Sequence, residues 1–326
     1  MLRLSADARR AFRPERTSSV LLVALLVVAG RAFAAPVSIS NGIAGDGRYQ
    51  VVVDDAGDTF SVKLDPTGAT PLQSIVGELQ SYIDVGADGG GTLLQLSSTA
   101  PAASTGLNQV TSAGAFVGQN GTIQWTAVSS IPPGTTAFVT TFSFTSSAPF
   151  GVVRFVSYLD GQVGAGPNVL VESGMPGEID FSLLTLDQTP NIGIGQTLLG
   201  GPFLNASYRG WSADQYHDLR DRIEGPGAAY SLSGVVNTTN LPAYVDSRYP
   251  GLPAFGPADI TEAMALDLSP TATTASITID AFGIPANVPA DPSAPSIPTL
   301  DRRGLAALAL AFLLAGAIAL RRRVVR

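Results

Sequence analysis

Residues 136–145 read Thr136-Ala137-Phe138-Val139-Thr140-Thr141-Phe142-Ser143-Phe144-Thr145. Phe138, Phe142 and Phe144 fall on one side together with Thr140, while Val139, Thr141 and Ser143 fall on the other. A period of two with one greasy face marks a half-buried strand, because successive side chains of a strand point to opposite faces. The same alternation recurs outward along the chain. Phe60, Val62 and Leu64 share a face within 59–64, and Ile123 and Trp125 share one within 122–128. Residues 152–159 (VVRFVSYL) and 276–282 (SITIDAF) read as further strands. Residues 48–53 (RYQVVV) precede 59–64 across Asp54-Asp55-Ala56-Gly57-Asp58, a hairpin loop by composition. Many such strands with polar and apolar faces predict an all-β body, an antiparallel β-sandwich.

One stretch departs from this period. From Ser212 to Glu224 the apolar residues Tyr216, Leu219 and Ile223 recur at helical spacing, with Gln215 three residues after Ser212 and Gly225-Pro226 beyond the end. That pattern predicts one short inserted helix near 213–224, capped by Ser212 and stopped at the glycine. Between 96 and 118 Ser, Thr, Ala and Gly dominate and the apolar pattern is weak, which predicts a long loop. Three prolines within 286–295 predict an extended linker.

The chain has 326 residues, no cysteine and a formal net charge of −7. Its charge is unevenly placed. From 36 to 296 there are 7 basic and 23 acidic side chains, a net of −16. So acidic a surface repels polyanions, and nucleic acid is excluded as a partner. Without cysteine there is no thiol nucleophile, thiolate metal site or iron–sulfur cluster, and no disulfide to support the body.

Candidate chemistry is sparse, and no cofactor motif is present. On the expected helix Asp214, His217, Asp218 and Asp221 fall at i, i+3, i+4 and i+7, one face that could hold a divalent metal or simply be solvated. His217 is the single histidine of the chain. Two Asp/Gly loops offer oxygen ligands of the kind Ca²⁺ takes: Asp54, Asp55 and Asp58, and 84–91 with Asp84 and Asp88. Asp and Gly are equally the ordinary residues of turns. Trp125 and Trp211 could stack on sugar rings, although Trp125 sits in an alternating strand and reads as core. A pair of catalytic carboxylates cannot be picked out from spacing alone.

The two ends speak about address. The opening MLRLSADARRAFRPERTSS carries five arginines and two acids, an apolar run follows over 20–30, and Ala32, Phe33, Ala34 and Ala35 supply a small-x-small cleavage site. This is the layout of a secretory signal peptide, 1–35, with an apolar core too short to span a bilayer. At the other end 304–320 is seventeen residues without a polar side chain, followed by Arg321, Arg322, Arg323 and Arg326. As a helix it would reach about 25 Å, near the thickness of the hydrocarbon core. Arginines behind a span stay cytoplasmic, so the body is expected on the opposite side of the inner membrane.

Immediately before that span stand Ile297-Pro298-Thr299-Leu300-Asp301-Arg302-Arg303-Gly304. Residues 297–326 thereby resemble the IPTL class of C-terminal sorting domains, relatives of the PEP class in Gram-negative bacteria. Ile297, Pro298, Thr299, Leu300 and Gly304 match its motif, as do the apolar helix and basic end; Arg303 stands where the family has Trp. The resemblance implies a substrate of an exosortase-type membrane protease, exported through signal peptidase, tethered, then delivered to the cell surface or extracellular matrix. The organisation expected is therefore signal peptide 1–35, extracytoplasmic β body 36–285, linker 286–296, and sorting motif with transmembrane helix 297–326. Two functions are expected for the body: a structural, adhesive or matrix-associated role, with exopolysaccharide among its partners, or a secreted carbohydrate-binding module or carbohydrate-active enzyme.

Overall fold

The computed structural model describes residues 36–285, apart from 54–58, 66–71, 87–92, 99–101, 107, 165, 177, 179–180, 189–191, 199–202 and 225–235. The expected signal peptide, linker and sorting tail lie outside the described residues, as do Asp54, Asp55, Asp58 and Asp88. Among the described residues no helix is long and apolar enough to cross a membrane, and the span expected at 304–320 lies outside them.

Alternating residues build two antiparallel sheets. The first runs β1 (Val37–Ser40), β2 (Tyr49–Val53), β3 (Thr59–Leu64), β5 (Glu78–Val85), β11 (Val153–Gly161), β18 (Ile260–Leu268) and β15 (Ala206–Gln215). Off this path β4 (Gln73–Val76) pairs with β3 and β6 (Leu93–Gln95) with β5. The second sheet begins β16 (Ala243–Tyr244), β17 (Ala254–Ala258), β12 (Asn168–Ser173), β13 (Ser182–Asp187) and β14 (Gly193–Leu198). It continues β19 (Thr274–Ile284), β10 (Ala137–Ser146), β9 (Gly121–Ser130), β8 (Gln109–Gly118) and β7 (Ala103–Gly106). The expected strands are present, and 48–53 and 59–64 pair as an antiparallel hairpin.

Strand β10 shows how the pattern becomes a face. Phe138, Thr140, Phe142 and Phe144 are buried while their neighbours are half-buried or exposed. Phe142 and Phe144 meet Phe155 of the other sheet, with ring centroids 4.7 and 6.2 Å apart. The two sheets therefore stack face to face over a core that also takes in Trp125, Leu183, Trp211, Met264 and Ile277. Central strands are different: every residue of β11 is buried, because its outer face is covered as well. Tyr82, Val156, Tyr158, Ala263 and Ala265 on that outer face pack against Leu219 and Ile223 of the helix α1 (Tyr216–Glu224).

Two expectations are corrected. Residues 96–118 hold β7 and β8 rather than a single long loop. Their small residues disguise a buried face: Val110, Ser112 and Gly114 point inward. At Gly114 a Cβ would lie 2.7 Å from Trp125 Nε1 and 2.5 Å from the Ser97 carbonyl oxygen, so the large indole opposite demands glycine there. The helix also begins later than expected. Ser212 and Asp214 belong to β15, and α1 starts at Tyr216. Pairing of 211–215 with β18 outweighs the local capping pattern.

Candidate functional site

The acidic cluster expected on a helix face is split between a strand end and the helix. Asp214, near the end of β15, is fully buried. Its Oδ1 accepts from the Gln215 backbone N–H and from Asn240 Nδ2, both at 2.8 Å. Its Oδ2 accepts from Asn237 Nδ2 at 2.9 Å and from the Arg222 guanidinium, which closes an ion pair from α1. The carboxylate is thus held by four donors, and a buried charge is tolerated only when paired and hydrogen-bonded in this way.

The asparagines come from a segment that the sequence reading did not single out. Val236 bridges Ala213 in parallel, and the Leu241 N–H returns to the Asn237 carbonyl at 2.8 Å, making a tight turn over 237–241. Asn240 also donates to Asp218 Oδ2 at 2.6 Å. Asp214, Asp218, Asp221, Arg222, Asn237 and Asn240 line an open depression of about 470 Å³. Asp214 and Asp218 are therefore brought together through Asn240. His217 is exposed and instead packs edgewise on Tyr216, with ring centroids 5.0 Å apart. Among the described residues no three metal-ligating side chains converge.

Asp84 does not sit in an open loop either. It is buried in β5 opposite Arg154 of β11, which in turn pairs with Asp267 of β18. Arg154 Nε donates to Asp267 Oδ1 at 2.7 Å, so a charged row crosses three strands on the outer face of the first sheet.

A third cluster lies beneath α1. Asp160 of β11 stands opposite Glu78 of β5, and Arg220 reaches Glu78 Oε2 at 3.5 Å. Burial pushes the Asp160 carboxyl up to about 7, and the negative charges of Asp259 and Glu78 push it the same way against the pull of Arg220. The neighbouring Tyr158 hydroxyl is raised by burial and then by Asp160. Tyr158 and Asp160 are buried here, while Arg220 is about a third exposed. Between the sheets a cavity of about 30 Å³ is lined by Ser81, Ser129, Thr140 and Ser157 among apolar side chains, room for about one water.

The aromatic residues weigh on the sugar reading. Trp125 and Trp211 are 3% and 1% exposed, both in the core. Among the residues whose side chains are described, every Phe, Tyr and Trp ring is buried or half-buried.

No family model matches the chain, and no characterised protein matches it by sequence. Solved structures similar to it include a bacterial glucoamylase complexed with acarbose, at TM-score 0.42 and 9% identity, over 76% of this chain and 32% of that one. A galactose mutarotase-like protein from Lactobacillus casei ATCC 334 gives TM-score 0.37 and 7% identity, over 77% of this chain and all of that one. The 4-alpha-glucanotransferase of Thermococcus litoralis gives 0.35 and 10%, over 78% and 38%. This chain spans about a third of the length of the glucoamylase. Likeness at this level leaves the site to be read from its own geometry.

Proposed function

We propose that this chain is an exported envelope protein whose β body has a structural, adhesive or matrix-associated role, delivered through its C-terminal sorting signal. The observation that carries the non-enzymatic reading is the state of the candidate groups. Asp214 is saturated by four donors, Asp84 is embedded in a strand opposite Arg154, and both tryptophans are core. A glycosidase needs two free carboxylates flanking an open cleft, whereas of the three that line the depression Asp214 is saturated and Asp218 is bonded to Asn240. The sorting reading is supported by the layout of the sequence on either side of the β body. Strand β1 begins at Val37, and the sequence before it has the basic, apolar and small-x-small layout of a signal peptide, while the Ile297-Pro298-Thr299-Leu300 motif, an apolar run and arginines follow β19 along the chain.

Membrane fractionation of tagged full-length protein tests this. Wild type should leave the cytoplasm, pass through a membrane-bound form and lose its tail. Changing Arg321, Arg322 and Arg323 to Glu should disturb the tethered intermediate, because those cations hold the end of the span inside. A wild-type body that stays soluble in the cytoplasm overturns the export reading. Turnover of a glycan by the purified body overturns the non-enzymatic one.

A further inference from the structure

Three polar side chains stand in the middle of the core where two apolar faces meet. They are Glu262 of β18, Thr185 of β13 and Gln196 of β14, each 0% exposed. Glu262 shares the inward face of its strand with Ile260 and Met264, and Gln196 shares its own with Ile194. Thr185 donates its hydroxyl to Glu262 Oε2 at 3.5 Å across the gap between the sheets. The Gln196 carboxamide approaches the same carboxyl. In the register of β13 and β14, Thr185 lies opposite Ile194 and Leu183 opposite Gln196. Thr185 and Gln196 are therefore diagonal neighbours on one face, within reach of a long side chain. On the far side of Thr185 is Gly161, where a Cβ would lie 2.5 Å from Thr185 Cγ2 and 2.9 Å from Oγ1. The bare glycine lets the threonine seat against the β11 backbone.

The carboxamide is out of keeping with its surroundings. Apart from that approach of the carboxamide to the carboxyl, neither Oε1 nor Nε2 of Gln196 nor Glu262 Oε1 has a hydrogen-bond partner. Buried polar groups are ordinarily paired, and each exception calls for a reason such as reactivity. Here a hydroxyl, a carboxamide and a carboxyl are held together in a dry place, which are the parts needed for acyl transfer from an amide to an alcohol.

We propose that Thr185 and Gln196 join in an intramolecular ester, with Glu262 as the proton-transfer group. Thr185 Oγ1 attacks Gln196 Cδ and the Oγ1–Cδ bond forms. The hydroxyl proton passes through the Glu262 carboxyl to Nε2, the Cδ–Nε2 bond breaks, and ammonia leaves. Atoms and charge balance without any oxidant, reductant or outside reagent. Burial keeps the Glu262 carboxyl protonated well above the usual carboxylate range, so it can give a proton to the leaving nitrogen while accepting one from the hydroxyl. Fixing both reactants on adjacent strands replaces a bimolecular encounter by a local one. Exclusion of water protects the ester once formed. In a chain without cysteine, this bond would be a covalent staple made from other groups. The proposal goes beyond the export reading and does not depend on it.

Peptide mapping of the full-length chain tests it. Trypsin releases residues 155–209 as one peptide, bounded by Arg154 and Arg209 and holding both Thr185 and Gln196. The expected wild-type peptide is lighter than its sequence by one ammonia, with fragment ions missing between 185 and 196. Thr185→Ala and the near-isosteric Glu262→Gln should each return the full sequence mass. A wild-type peptide at its full sequence mass overturns the proposal, whether or not the variants fold. So does an ammonia loss that persists in Thr185→Ala, since it would then arise at another residue.

Discussion

Phe142 of β10 and Phe155 of β11 face each other from different sheets with ring centroids 4.7 Å apart and planes tilted by 52°. Consecutive strands thus deliver their aromatic residues to the same point of the core from opposite sides. Phe155 is wholly buried. Truncating it to Ala removes a buried ring and leaves a cavity that the rigid sheets cannot collapse, at a cost of about 3–5 kcal/mol. Urea unfolding of the body, followed by fluorescence, should show that loss as a lower midpoint with an unchanged slope.

Arg222→Ala should be destabilising out of proportion to its exposure. The side chain is about a third exposed, yet its partner Asp214 is 0% exposed. Removing the cation leaves a buried carboxylate held only by neutral donors, and breaking such a pair costs about 3–5 kcal/mol. The double variant Arg222→Ala with Asp214→Asn should recover part of that loss, which a double-mutant cycle measures directly.

Stability should fall as pH rises toward neutrality. Asp160 and Asp280 are pushed by burial from an ordinary 3.8 to about 7. Between those values the folded state keeps protons that the unfolded chain has released, so raising the pH favours unfolding. The effect is complete above about 7 and absent below 3.8. Thermal melts across this window should show a falling midpoint, and Asp160→Asn should flatten part of the slope. A midpoint that rises toward pH 7 would contradict the assignment of these carboxyls.

Gly195→Ala should destabilise through overpacking rather than through backbone strain. A Cβ at that position would lie 2.5 Å from the Phe282 ring and 2.7 Å from Leu184 Cδ2. Forcing an extra methyl into a filled space costs about 1–3 kcal/mol. The companion variant Gly195→Ala with Phe282→Leu should be less damaging than the two single changes added together.

Much of the β body was legible from residue order because alternation is a local property. Phe138, Phe142 and Phe144 share a face wherever their strand lies, and the same holds for Ile123 and Trp125 or for the helical pair Leu219 and Ile223. Strand β8 was hidden for a physical reason: its inward positions carry Ser112 and Gly114, whose small size answers the bulk of Trp125 and leaves no apolar signal. The start of α1 was misplaced because Ser212 looks like a cap, whereas its backbone is claimed by the ladder to Ala263.

Residue order by itself determined the alternating strands, the acidic character of the body, the absence of thiol chemistry and the character of the two ends. Each of these depends on near neighbours or on simple counts. Only the tertiary structure decided what the polar residues do. Asp214 meets Asn237 and Asn240 more than twenty residues away, Arg154 meets Asp267, and Glu262 meets Thr185 and Gln196 across the gap between the sheets. Those meetings are set by strand order and register, in which β11 lies between β5 and β18. Long-range pairing of that kind leaves no periodic trace in the chain. It brings carboxylates that look alike in sequence to opposite fates, one saturated with donors and another pushed by burial toward its protonated form.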